Sequence, residues 1–233
     1  MIKTQKRINL LLSRFCVFLL ILFISTALYS EPLQEDFSII KTQSNSVKEK
    51  DVNGSGEYPY NFRLIDNCLA AGGSLFNPVS KSNSDEKVCE YIRFLKKLGI
   101  TSLMLLHVPL KTDSLTSRLE NCCKKEGMEL IKMRMNAEQL PTDEETEYLM
   151  KAIASGSYVH CMWGCDRTGA IIGKYLRRKG YSGQEALDAI VNNGTHAGKL
   201  GGFKRKPGNK NLLLYFWPEV VTENPEIYKE FSK

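Results

Sequence analysis

"SYVHCMWGCDRTGAIIGKYLRRKG", residues Ser157–Gly180, is the stretch on which the reading of the chain turns. "SYVH" has the length and residue types of a buried strand, and Ile171, Tyr175 and Leu176 give the second half one apolar helical face. The helix is expected to start around Thr168–Ala170; Arg177, Arg178 and Lys179 suit its negative end and Gly180 its stop. Cys161 then closes the strand. The residues Cys161–Asp166 must turn tightly above the helix N-terminus with backbone N–H groups facing inward, which makes the turn an anion nest.

A thiol in that position ionises, because helix N-termini and cationic neighbours lower a cysteine pKa to roughly 3.5–7.5. Arg167 adds a planar fork that matches two oxygens of a phosphate. A thiolate beneath a cradled phosphate has few reactions open to it, and phosphoryl transfer to sulfur leads them.

Working outward, Val88, Ile92 and Leu95 follow helical spacing up to Gly99, and Leu115, Leu119 and Cys122 repeat it before Gly127. Thr142 with Glu145, and Ser182 with Glu185, are capping boxes that open two further helices. Between them lie runs of strand length. "TSLMLLHV" (Thr101–Val108) reads as buried on both faces, and "LIKMRM" alternates Ile131, Met133 and Met135 with Lys132 and Arg134. Strands alternating with helices imply an α/β sheet, in which ligands bind beyond the carboxyl ends of the strands. The opening stretch lies at such an end.

The chain has 233 residues, 42% hydrophobic and 25% charged, in keeping with a globular protein. Its formal charge of +6 is concentrated at the start: residues 1–30 hold Lys3, Lys6, Arg7 and Arg14 and no acid. Beyond them 28 basic residues face 26 acidic ones, so charge gives no case for a nucleic-acid partner. That basic start, the apolar run "FCVFLLILFISTALY" and the small residues around Ser25–Ser30 fit a secretory signal peptide. The rival is an uncleaved membrane tether. Either way the expected location is exported, periplasmic or secreted. Residues 31–57 are polar and read as a flexible lead-in, which leaves 58–233 as one domain.

"HCMWGCDRTG" resembles the H-C-x5-R-[S/T]-G signature of cysteine-dependent protein tyrosine and dual-specificity phosphatases, and the export signal is most similar to the periplasmic bacterial members of the dual-specificity branch. The resemblance covers about residues 60–195. It implies a compact protein tyrosine phosphatase-like fold, a central mixed sheet flanked by helices. It also implies roles. Cys161 attacks phosphorus, and Arg167 holds the equatorial oxygens together with the loop Met162, Trp163, Gly164, Cys165 and Asp166. The Thr168 hydroxyl stabilises the thiolate when it leaves, and His160 orients the loop from behind. The family takes its general acid from a separate loop and usually places an aspartate there. In "MRMNAEQLPTDEE" the register puts Glu138 in that slot, a departure from the family pattern. Asp143 is the second candidate, though it suits the first turn of a helix. Asp166, inside the loop, is the third.

No cofactor is implied, and neither His107 nor His196 has metal-ligand spacing around it. His107 reads as a core histidine. Trp163 reads equally as a substrate platform and as a lid on the loop. Lys204, Arg205 and Lys206 read first as a solvated charged loop and second as a site for a polyanion. Cys68, Cys89, Cys122 and Cys123 allow three pairings between which sequence does not choose. Cys165 reads first as packing under the loop and second as a redox partner of Cys161. The expected function is hydrolysis of phosphate monoesters, phosphotyrosine foremost, through a cysteinyl-phosphate. A phosphorylated protein is the expected substrate. The alternatives are an inositol phosphate or phosphoinositide phosphatase of the same mechanism, and a silent phosphate-binding module.

Overall fold

A computed structural model describes residues 49–107, 114–192 and 202–233. Within them five strands form one sheet: β1 (Arg63–Leu64), β2 (Leu69–Gly72), β3 (Ser102–Leu105), β4 (Glu129–Lys132) and β5 (Ser157–His160). Their order is β1-β2-β5-β3-β4, with β1 antiparallel to β2 and every other pairing parallel. The mixed α/β sheet expected from the sequence is present. β5 is its centre, which is why "SYVH" is buried along its whole length.

The helices are α1 (Asp85–Lys97), α2 (Ser114–Glu126), α3 (Asp143–Ala154), α4 (Asp166–Arg178), α5 (Gly183–Asn192), α6 (Lys210–Phe216), α7 (Val220–Glu223) and α8 (Pro225–Glu230). Side chains of a strand point alternately to its two faces. Leu103 and Tyr158 therefore join Val88, Ile92 and Leu95 of α1 and Leu119 of α2 in one apolar layer. Met104 and Val159 join Leu149 and Ile153 of α3, Ile171 and Leu176 of α4, and Phe216 of α6 in the other. Burial on both faces explains the unbroken apolar run of β3. α4 and α6 cross closely at Gly173, where a Cβ would come within 2.8 Å of the Phe216 ring.

The capping boxes form as the spacing predicts. The Glu145 amide donates to Thr142 Oγ1 at 3.2 Å and the Thr142 amide to Glu145 Oε2 at 2.8 Å. The Ser182–Glu185 pair repeats the geometry. Three expectations are corrected. α4 begins at Asp166, ahead of Thr168–Ala170, because an acid in the first turn favours the positive helix end and the Gly169 amide already reaches the Cys165 carbonyl at 2.7 Å. The paired part of "LIKMRM" ends at Lys132, although the burial alternation continues to Met135. Residues 51–57 are packed rather than part of a flexible lead-in: Val52 is fully buried, and Asn83 Nδ2 and Tyr91 Oη donate to the carbonyls of Gly54 and Gly56. Residues 1–30, read as a signal peptide, and His196 lie outside the described residues. No described helix is long and apolar enough to cross a membrane.

Candidate active site

The register aligns the ends of three parallel strands. Gly72, Leu105 and His160 sit side by side, so the residues that follow them, Gly73, Leu106 and Cys161, emerge at one edge of the sheet. Cys161 leaves β5, the chain turns through Met162–Cys165, and α4 starts at Asp166. The outer side of this turn is held carbonyl by carbonyl. The Ser74 amide donates to Met162 O at 2.9 Å. Asn61 Nδ2 donates to Trp163 O at 3.1 Å, and Arg63 Nη2 to Gly164 O at 2.8 Å. With the carbonyls committed outward, the peptide planes can present N–H groups inward, and the Gly164 amide points at Cys161 Sγ from 3.3 Å. Gly164 takes φ +72°, and a Cβ there would collide with the backbone of Gly72. Only glycine fits.

Burial alone would push the Cys161 thiol up. The charge of Arg167, together with donation from the Thr168 hydroxyl and the amides of Thr168 and Gly164, outweighs it and holds the thiol below its usual value. Thr168 Oγ1 is fully buried and has no oxygen or nitrogen partner, which leaves the sulfur as the group it can serve. The other loop thiol behaves oppositely. Burial pushes Cys165 up to about 12, and its Sγ donates to Trp163 O at 3.5 Å, so it packs as a neutral thiol under the loop. All six described cysteines are free thiols; burial also pushes Cys122 and Cys123 up to about 12.

A prediction follows from these opposed shifts. In the folded protein at pH 6, iodoacetamide modifies Cys161 well ahead of Cys122, Cys123 and Cys165. The rate rises with pH to a plateau below the range of an ordinary thiol, since it tracks the thiolate fraction. Peptide mapping checks the order. Labelling of Cys165 as fast as Cys161 would refute it.

Arg167 Nη1 lies 2.8 Å from His107 Nδ1. A guanidinium only donates, so His107 Nδ1 accepts and carries no proton. His107, read from sequence as a core residue, stands at the site and steadies the arginine. His160 is 2% exposed; its Nδ1 donates to the Cys161 carbonyl at 3.2 Å, and burial lowers its pKa to about 4, so it is neutral. A cavity of about 40 Å³ opens against the sulfur, walled by Ser74, Phe76, Leu105, His107 and Met162. Trp163 is 36% exposed and meets the Tyr60 ring edge-on at 5.9 Å.

The three acid candidates separate. Asp166 is committed: Oδ1 accepts from the Lys204 amide at 3.0 Å and Oδ2 pairs with Lys206 Nζ at 3.1 Å. Asp143 occupies the first turn of α3, where it serves the helix. Glu138 lies exposed in the connection between β4 and α3, and its carboxylate has no hydrogen bond or ion pair among the described residues. The Asn136 side chain shapes that connection by accepting from the amides of Glu138 and Gln139, and Asn211 Nδ2 ties Ala137 O at 2.8 Å. Sequence reasoning missed Asn61, Arg63 and Ser74. Their signal was faint: a charged residue inside "NFRLI", just ahead of the paired glycines Gly72 and Gly73.

A cysteine of lowered pKa under inward amides at a strand–helix junction, with an arginine in the first turn of the helix, is the arrangement of a cysteine-dependent phosphatase. The family model described as DSP-PTPase phosphatase fused to NAD+ kinase matches residues 80–202, over half of the chain, and the chain belongs to that family. No curated protein matches the sequence. Among solved structures the chain is similar to TpbA of P. aeruginosa, with 13% identity over 74% of this chain and 91% of that one, at a TM-score of 0.47. It is also similar to the core catalytic domain of the PP-IP phosphatase SIW14 of S. cerevisiae, with 16% identity over 73% and 90% at a TM-score of 0.47.

Proposed function

We propose that this phosphatase acts on phosphorylated proteins, phosphotyrosine foremost, with phosphoserine and phosphothreonine accepted, and that it does so outside the cytoplasm. One observation carries the chemistry: the Cys161 sulfur lies beneath a loop whose three successive carbonyls are tied outward. Phosphate enters with its equatorial oxygens on Arg167 and the amides of Met162–Arg167, which stabilise charge as it redistributes. The Cys161 thiolate attacks phosphorus and the ester oxygen departs, taking a proton from Glu138. The product is a cysteinyl-phosphate. Water, deprotonated by the same carboxylate, then releases inorganic phosphate. Thr168 donates to the thiolate as it returns.

The substrate preference is supported by the basic segment. Lys206 pairs with Asp166, and Arg205 with Asp188 and Glu230, so two of its cations are neutralised within the protein rather than presented to a polyanion. Trp163 offers a half-exposed aromatic face beside the loop for an aryl ester. The exported location rests on the reading of residues 1–30. A substrate panel tests the proposal: phosphotyrosine and phosphoserine peptides, inositol hexakisphosphate and phosphoinositide vesicles. The phosphotyrosine peptide is expected to give the highest kcat/KM. A higher value for either inositol substrate would transfer the chain to the inositol phosphatase reading.

A further inference from the structure

Arg63 is 3% exposed, yet no described carboxylate pairs with it. A buried guanidinium with no counter-ion is costly unless hydrogen bonds satisfy its donors. Its fork makes two bonds: Nη2 to Gly164 O at 2.8 Å and Nη1 to Asn61 O at 3.1 Å. Asn61 in turn donates through Nδ2 to Trp163 O at 3.1 Å. Two consecutive peptides are clamped in this way. The 163–164 peptide is held at its carbonyl by Asn61 and offers its N–H to Cys161 Sγ at 3.3 Å; the 164–165 peptide is held at its carbonyl by Arg63 itself.

We infer that Arg63 is a positioning residue for the nucleophile, locking the peptides on either side of Gly164 so that an N–H rather than a carbonyl faces the sulfur. The inference rests on the role proposed for Cys161. Gly164 makes the lock necessary. A glycine at positive φ has little steric preference between peptide orientations, so the 163–164 plane can turn over unless its carbonyl is held. A flipped plane would aim Trp163 O at the thiolate and at the incoming phosphate, replacing an attraction with a repulsion.

The charge matters as well as the fork. Arg167 faces the sulfur from α4, and Arg63 stands behind the loop on β1. The other titratable neighbours are His160, held neutral by burial, and Tyr158 and Cys165, whose pKa values burial raises. Burial lowers the Arg63 pKa, and the nearby Cys165, Tyr158 and Cys161 oppose that shift.

The test uses the full chain carrying Arg63→Met or Arg63→Lys and reads two quantities. The first is the pH midpoint of Cys161 alkylation by iodoacetamide, which needs no substrate; the second is kcat and KM on an aryl phosphate. Arg63→Met is expected to move the midpoint up by about one unit, a tenfold loss of thiolate below it. It should also lower kcat by about tenfold to a hundredfold, less than the 10²–10³ lost with a direct donor, and leave KM within a few fold. Arg63→Lys keeps the charge and loses the fork, so it should recover only part of the midpoint and only part of kcat. A folded Arg63→Met with wild-type midpoint and kcat overturns the inference. If that variant does not fold, Arg63→Lys decides: reduced kcat at an unchanged melting temperature supports the clamp, and wild-type kcat overturns it. Because alkylation is read without turnover, a wild-type protein that hydrolyses nothing would count against the proposed activity and leave this measurement standing.

Discussion

Replacing Cys161 by serine is expected to lower turnover of any phosphate ester by roughly 10⁴-fold or more while the protein still binds inorganic phosphate. The physical reason lies in what the loop can ionise. Arg167, Thr168 and the amides of Gly164 and Thr168 hold the thiol below its usual value despite complete burial. A serine hydroxyl starts many units higher, and the same partners cannot bring it to an alkoxide near neutral pH. Removal of a nucleophile in a preorganised site typically costs that much, and what remains comes from the oxyanion donors and binding. The donors survive in the variant, so phosphate should still bind, measurably by calorimetry. Chelators should leave the wild type unaffected, since the thiolate and the guanidinium supply nucleophile and charge. Activity that persists in Cys161→Ser, or disappears in chelator, would remove the cysteine mechanism.

The second large effect belongs to Glu138. Glu138→Gln should lower kcat by roughly 10²–10⁴ on an alkyl or phenyl ester, the usual reach of general acid catalysis, and far less on an activated aryl phosphate whose oxygen departs without a proton. The two rival carboxylates are otherwise employed. Asp166 has both oxygens engaged by Lys204 and Lys206, and Asp143 is a helix-opening acid. The glutamate adds one methylene to the aspartate expected in that slot, which lengthens its reach from an exposed connection. Should Asp143→Asn or Asp166→Asn reproduce the pattern while Glu138→Gln leaves both substrates alike, the proton comes from elsewhere.

What could be read from sequence was what is local in it. Thr142–Glu145 and Ser182–Glu185 span three residues each, so their caps were visible as spacing. Cys161, Arg167 and Thr168 fall within eight residues of one another between a strand and a helix, so the chemistry of the loop was visible too. The bonds that hold it were not. Asn61 and Arg63 meet Trp163 and Gly164 across 101 to 103 residues, and no periodicity links partners that far apart. His107 and Arg167 are 60 residues apart, so the histidine looked like core because it follows a buried strand. The C-terminal helices α6, α7 and α8 span seven, four and six residues, too short for an apolar stripe to declare itself.

The sheet order carries a consequence for how the chain comes into being. β5 is the last strand to leave the ribosome, yet it lies between β2 and β3. Without Ser157–His160 the pairings left are β1 with β2 and β3 with β4, and a two-stranded ribbon is marginal by itself in water. Insertion of one strand closes the sheet, and the loop that follows it then meets Asn61 and Arg63 through the carbonyls of Trp163 and Gly164. Such long-range closure is slow relative to local folding. It also means that the nucleophile arrives with the strand that completes the sheet, while the groups that lower its pKa, Gly164, Arg167 and Thr168, follow it in the chain.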